Sequence, residues 1–162
     1  MTIEPATLTD LDTLTDQWVA LATEQRPHGS AILPDANRDL LSQHFAHHIV
    51  DGDVLVDRVD DRIVGFVMFE RTSADLEVDV TRGVIQNLYV VPEYRGAGRG
   101  SALLDAAEEQ LRERGADVVQ LEVMAKNTEA REFYERAGYH DHRVVMEKRV
   151  GVESDTNPKG HD

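Results

Sequence analysis

Residues 87–104 read NLYVVPEYRGAGRGSALL, and the change of character within this run decides the fold. With the three residues before it, it opens as a β-prone segment, VIQNLYVV at 84–91, which Pro92 stops because proline has no amide hydrogen to give a sheet ladder. A glycine-rich bend, RGAGRG at 95–100, follows. It leads into a helix predicted over 98–114, with Leu103, Ala107 and Leu111 on one face, Glu108 and Arg112 as an i,i+4 pair and Gly115 as C-cap. A further strand is predicted at 118–123. Strand, bend, helix and strand make a crossover unit, and the two strands it joins should lie parallel.

Downstream, a short helix is predicted at 128–136, ending at Ala137-Gly138, and 139–140 with 144–148 supply the last strand material. The tail at 151–162, GVESDTNPKGHD, is polar and expected to be disordered. Upstream, VLV at 54–56 and IVGFVMF at 63–69 flank Asp60-Asp61 as a hairpin, and 72–81 is a loop with at most some strand. The chain starts with an edge strand at 2–5 and then a helix to about Gln25. Thr7 caps this helix with Asp10 three residues on, and Leu11, Leu14, Trp18 and Leu21 form its apolar stripe. Pro27, His28 and Gly29 end it. After Pro34, Asp35 caps a second helix carrying Leu41, Phe45 and Ile49 on one face, closed by Asp51-Gly52. The order predicts one mixed α/β (α+β) domain over 1–150, with a twisted, mostly antiparallel sheet, one parallel pair and about four flanking helices.

At 162 residues the chain is one domain by length. No apolar run approaches the roughly 18 residues that span a bilayer, and MTIEPATLTD lacks the basic, apolar layout of a signal peptide, so a cytoplasmic protein without a membrane partner is expected. The absence of cysteine excludes disulfides, thiolate metal sites and a cysteine nucleophile. Acidic residues number 31 against 17 basic ones, a net charge of −14, and nucleic acid is a poor partner for such a surface. Of the basic residues only Lys126, Lys148 and Lys159 are lysine. Self-repulsion at this charge is screened near molar salt, where the Debye length is about 3 Å, so the composition suggests a halophilic host. Attraction of a cationic substrate is the competing reading, weakened because the carboxylates lie along the whole chain.

The bend itself has a chemistry. The first turn of a helix leaves backbone amide hydrogens without partners, and glycine lets the main chain come close to a ligand, so RGAGRGS suits a pyrophosphate. The nicotinamide-type fingerprint G-x-G-x-x-G is not met: after Gly96 and Gly98 the third position is Ser101, and residues 92–95 separate strand from bend, although Glu122 sits loosely where an acidic residue belongs. A Walker-type loop fails because no Gly-Lys-Ser/Thr follows.

The run at 87–104, followed by LEVMAKNTEAREFYERAGY at 121–139, strongly resembles the GNAT superfamily of N-acetyltransferases. The family pattern Arg/Gln-x-x-Gly-x-Gly/Ala is matched by Arg95, Gly98 and Gly100, with Val90 five residues before it. Asn127 and Tyr134 fall in N-x-x-A-x-x-F-Y-E-x-x-G-[FY]. The match is close over 84–149; the N-terminal third agrees in its order of elements. The resemblance implies acetyl-CoA as co-substrate, in a V-shaped gap where the strand ending at Val91 splays from that at 118–123. It implies that Leu88, Tyr89 and Val90 pair with pantetheine, that Arg95, Gly96, Ala97, Gly98, Arg99, Gly100 and Ser101 hold the pyrophosphate, and that Asn127 holds the cofactor from the other wall.

It also implies direct acetyl transfer to a primary amine, a protein or peptide N-terminus or a small amine, with Tyr134 as general acid for the departing thiolate and backbone amides near Val90 polarising the carbonyl. Many relatives carry a glutamate where Gln86 stands, and glutamine cannot accept a proton at neutral pH. Glu122 matches a glutamate used as base by ribosomal-protein N-terminal acetyltransferases; water or an amine arriving neutral would also serve. An acyl-CoA sensor that has lost turnover is the alternative. A homodimer is compatible with families of this kind. No metal is expected: His44 and His48 stand four apart but lack a third ligand and read as a solvated helix face. Trp18, Phe45, Met68 and Phe69 read as core in preference to an acceptor pocket.

Overall fold

The computed structural model describes residues 2–72 and 76–151. The elements run β1 (Thr2–Pro5), α1 (Leu11–Gln25), α2 (Arg38–Val50), β2 (Val54–Val59), β3 (Arg62–Arg71), β4 (Arg82–Val90), α3 (Arg99–Glu113), β5 (Val118–Leu121) and α4 (Thr128–Arg136). The five strands form one sheet in sequence order, antiparallel throughout except for the parallel β4–β5 pair that the crossover requires. Among the described residues no helix is long and apolar enough to cross a membrane.

The period-2 pattern of β3 splits the interior into two cores. Val64, Phe66 and Met68 face α1 and α2, where they meet Leu14, Trp18, Ala22, Phe45 and Ile49. Val67 and Phe69 face α3, packing with Ile85, Leu103, Leu104, Ala107 and Leu111. The four apolar residues weighed above for an acceptor pocket are all core: Trp18 and Met68 are nearly inaccessible, Phe45 and Phe69 wholly so. At Asp60 and Asp61 the hairpin turn takes left-handed φ of 50° and 66°, the twist-matched geometry for a two-residue connection.

Gly65 sits on β3 between the Tyr89 carbonyl of β4 and Leu103 of α3. A Cβ there would lie 2.7 Å from the Tyr89 carbonyl oxygen and 3.1 Å from Leu103. The obstacle is main chain, which cannot rotate away, so Gly65→Ala should destabilise the protein by about 1–3 kcal/mol, read as a lowered urea midpoint at unchanged slope.

Several local expectations are corrected. Asp35 lies in a 3₁₀ turn, Asp35–Asn37, and the residue flanking α2 is Asn37. Among the described residues of the 72–81 loop there is no strand. Arg112 pairs with Glu109, because the Glu108 carboxylate accepts the Tyr139 hydroxyl at 2.6 Å. The last strand of the crossover stops at Leu121, short of 123. Residues 139–150 form no strand and pair with no strand of the sheet. The expected disordered tail, apart from Gly151, lies outside the described residues.

Candidate active site

β4 continues for five residues past its last pairing with β5, at Ile85 opposite Leu121. Its other edge stays paired with β3 through Gly65 opposite Val90. The stretch Gln86–Val90, which contains Leu88, Tyr89 and Val90, therefore has one ladder edge open where the two strands diverge. This is the V-shaped gap. Backbone groups on such an edge need partners, and an amide-bearing ligand can supply them.

The bend leads straight from this open stretch into α3. Gly98 takes φ +83°, a left-handed value that only glycine adopts cheaply, and it aims the chain into the helix. The first helical bond runs from the Ala102 amide to the Gly98 carbonyl at 3.0 Å, so the amides of Arg99, Gly100 and Ser101 point outward without helical acceptors. Gly96, Ala97 and Gly98 are exposed. The cradle is thus built of main chain.

Its two arginines are turned elsewhere. Arg95 donates from Nε to the Val90 carbonyl at 2.7 Å and pairs with Glu24 of α1 at 3.0 Å, its guanidinium lying 5.3 Å from the centre of the Tyr89 ring. Arg99 reaches across the sheet to Asp57 of β2, at 2.9 and 3.1 Å to the two carboxylate oxygens, and covers the Tyr94 ring at 5.1 Å. Asp57 is completely buried. Both side chains brace the bend against neighbouring elements.

On the far wall, Asn127 caps α4, its side-chain oxygen accepting the Ala130 amide at 3.1 Å. α4 brings Phe133 against Gly100, 3.5 Å from where a Cβ would stand. Tyr134 packs edge-on between Phe133 and Tyr139, with ring centres 5.1 and 5.8 Å away, on the α3 side of the sheet. Burial pushes its hydroxyl pKa up to about 12. Among the described residues that hydroxyl has no hydrogen-bond partner. Tyr139 is also raised, by burial and then by its bond to Glu108.

Where β4 and β5 part, Val84, Ile85, Gln86, Gln120, Leu121 and Glu122 line a cleft of ≈ 310 Å³. Glu122 is exposed there, one residue beyond the strand. Gln86 is the extra residue of an irregularity in the β3–β4 ladder, since Met68 faces Asn87 while Phe69 faces Ile85. Its amide donates to Glu70 of β3 at 2.6 Å. Glu70 did not stand out in the sequence; a charged residue closing an apolar strand was the available signal. The loop after α1 borders this region, for a Cβ at Gly29 would lie 3.5 Å from the Met124 side chain. The structure thus gathers Glu122, Gln86 and Glu70 around the mouth of the gap, and Tyr134 on its α3 side. His44 and His48 stay apart from it: His48 bonds Asp53 at 3.1 Å, and no cluster able to hold a metal occurs among the described residues.

Residues 15–139 match the model of the Acetyltransferase (GNAT) family. An uncharacterised N-acetyltransferase of Mycobacterium tuberculosis is 35% identical over 115 residues, 70% of this chain and 69% of that protein. One of Methanocaldococcus jannaschii is 41% identical over 71 residues, 41% of this chain but 31% of that protein, so the match spans under a third of this relative's length. Among solved structures, a mutant form of a Bacillus halodurans protein superimposes with a TM-score of 0.82 at 20% identity, covering 93% of this chain and 99% of that one.

Proposed function

The chain belongs to the Acetyltransferase (GNAT) family, and from that premise we propose that it transfers acetyl directly from acetyl-CoA to a primary amine bound beside it. The observation that carries the reading is one continuous feature: an open β4 edge running into a helix N-terminus whose first-turn amides lack acceptors. The free amides of the Gly96–Ser101 bend suit a diphosphate, and the edge at Leu88, Tyr89 and Val90 suits the amides of pantetheine. Asn127 presents its remaining NH₂ group from the opposite wall.

When bound, acetyl-CoA supplies the activated acyl group; the chain's own residues manage the protons. Glu122, exposed at the mouth of the gap, takes the proton from the incoming ammonium. Glu70 holds the NH₂ end of Gln86, which leaves the Gln86 side-chain carbonyl as the acceptor for the same amine. Tyr134 keeps its proton through the working pH range and donates a hydrogen bond on the α3 side, where the thiolate departs. The two carboxylates and the amide carbonyl favour a cationic acceptor, a small amine or a peptide N-terminus.

A thiol-release screen across small amines and peptide N-termini, run in high salt, tests this. Release with at least one primary amine is expected. Tight acetyl-CoA binding with no release from any acceptor would instead support an acyl-CoA sensor. With an active acceptor in hand, Glu122→Gln should lower kcat/KM at least about tenfold at pH 7, the deficit shrinking toward pH 10 as the amine arrives already neutral. A deficit that stays constant with pH would remove Glu122 from the role of base.

A further inference from the structure

Gly83 and Ile85 of β4 point at α3: a Cβ at Gly83 would lie 2.7 Å from Leu111, and Ile85 packs in the same core as that helix's apolar face. Side chains alternate along a strand, so Arg82, Val84 and Gln86 share the opposite face of the sheet. On β5, Val119 and Leu121 belong to the α3 side, which puts Gln120 on the same face as Arg82. The two side chains meet there. Gln86, Gln120 and Glu122 line the cleft where the strands part, and Arg82 adjoins Gln120 toward the end where β4 and β5 are still paired.

Arg82 is set apart by its lack of a counter-charge. The other half-buried arginines, Arg38, Arg58, Arg99, Arg114 and Arg131, each hold a carboxylate at 3.1 Å or less. Arg82 is half-buried too, yet its side chain makes one hydrogen bond among the described residues, to Gln120 Oε1 at 3.5 Å, long for such a bond. The nearby Asp117 carboxylate accepts the Thr81 amide at 3.1 Å and forms no ion pair with Arg82. A guanidinium presents five N–H donors in a planar fork that matches the edge of a carboxylate. On this face the fork stands beside a cleft whose far end carries the acids Glu122 and Glu70, so the cleft is positive at one end and negative at the other.

We infer that Arg82 binds an anionic group on the acceptor, which is then a small amine carrying a carboxylate about five bonds from its nitrogen. This rests on the proposed transfer reaction, with the amine at Glu122. Gln120 and Glu122 are two residues apart, about 6.6 Å along a strand, and an extended chain advances ~1.2 Å per bond, which sets the span. In the transfer, the amide bond forms at the amine nitrogen as the C–S bond of the thioester breaks. The ammonium proton goes to Glu122 and the thiolate leaves on the Tyr134 side, while the carboxylate held by Arg82 is unchanged and serves only to choose and orient the acceptor.

The thiol-release assay on the full chain in high salt tests this with matched acceptors. The kcat/KM for 5-aminopentanoate should exceed that for pentylamine about thirtyfold, through KM. Glycine should gain no such advantage over ethylamine, because its carboxylate falls short of Arg82. Arg82→Gln should bring the 5-aminopentanoate-to-pentylamine ratio close to one, and Arg82→Glu should turn the preference toward 1,5-diaminopentane. A ratio taken within one variant is insensitive to a loss of folded protein, which lowers both rates together. Calorimetric titration of 5-acetamidopentanoate against N-pentylacetamide, with CoA present, reads the same preference without turnover. If no amine is acetylated but the carboxylate still binds in an Arg82-dependent way, the transfer reading fails and Arg82 keeps its role. Pentylamine turned over as well as 5-aminopentanoate, or a carboxylate preference that survives Arg82→Gln, would overturn the inference and leave the transfer reading standing.

Discussion

Replacing Tyr134 by phenylalanine should lower kcat by about 10²–10⁴-fold, with the KM for acetyl-CoA little changed. The phenol is held by packing against Phe133 and Tyr139 and has no hydrogen-bond partner among the described residues, so the substitution removes a donor without orphaning any group. Stability at neutral pH should therefore hold. The raised pKa of about 12 sets how the group acts. A thiol near 8.5 lies ~3.5 units below it, so complete transfer to a free thiolate would be uphill by roughly 5 kcal/mol. What Tyr134 can do is keep a hydrogen bond on the sulfur while negative charge builds there. The kcat/KM profile should accordingly rise with pH as base and amine lose protons, with no descending limb from the phenol until pH approaches 12. A fall near pH 9–10 that vanishes in Tyr134→Phe would contradict the buried environment, and full turnover by the variant would reduce Tyr134 to a packing residue. The folding linkage has the matching sign. The unfolded phenol titrates near 10 and the folded one near 12, so its contribution is intact below pH 10 and is lost as pH rises toward 12. Alkaline unfolding of the wild type should show this loss, and Tyr134→Phe should show less of it.

What the sequence made legible was whatever is written in local spacing. The crossover from β4 through α3 to β5 follows from an apolar run, a proline, three glycines and a helical stripe, all within 40 residues or so of one another. The bend was legible as a glycine turn into a helix start for the same reason: its outward groups are main-chain amides, whose direction the glycines and the helix start determine. Its arginines were not. Arg95 meets Glu24, 71 residues away, and Arg99 meets Asp57, 42 residues away. Nothing in RGAGRG distinguishes a guanidinium aimed at a ligand from one aimed at a distant strand. Asp57 interrupts VLVDRV and could have been read as a buried charge awaiting a partner. Glu70 was missed because the ladder irregularity that aligns Gln86 with it is a property of two strands together. The segment at 144–148 has the composition of a strand and forms none within the chain, since composition supplies propensity whereas pairing requires a neighbour.

Removing the Arg99 guanidinium should cost the fold about 3–5 kcal/mol, because Arg99→Ala leaves the Asp57 carboxylate buried without its counter-charge. The pair is asymmetric: Asp57 is 0% exposed and the Arg99 side chain 17%. Asp57→Val should therefore be milder than Arg99→Ala, since the freed guanidinium has a route to water and the carboxylate has none. Arg99→Met combined with Asp57→Val removes both charges and fills the space with apolar volume, and should be more stable than Arg99→Ala alone. Urea unfolding of the three variants gives this order; a double variant as weak as the single one would mean the loss comes from packing at the ladder irregularity beside Asp57 rather than from an orphaned charge. The same series decides what Arg99 does for the ligand. Arg99→Lys keeps the positive charge but cannot reproduce the planar fork. If Arg99 serves by bracing the bend, Asp57→Asn should raise the KM for acetyl-CoA, because the brace loosens while the arginine remains. If Arg99 instead reaches the diphosphate, Asp57→Asn releases it from a competitor and KM should fall or hold. The observed contact, with Arg99 also stacked over Tyr94 at the end of the 3₁₀ turn Pro92–Tyr94, predicts the rise. Such a rise would mean that the diphosphate is held by the first-turn main-chain amides and that the buried Arg99–Asp57 pair, two strands away, keeps those amides aligned.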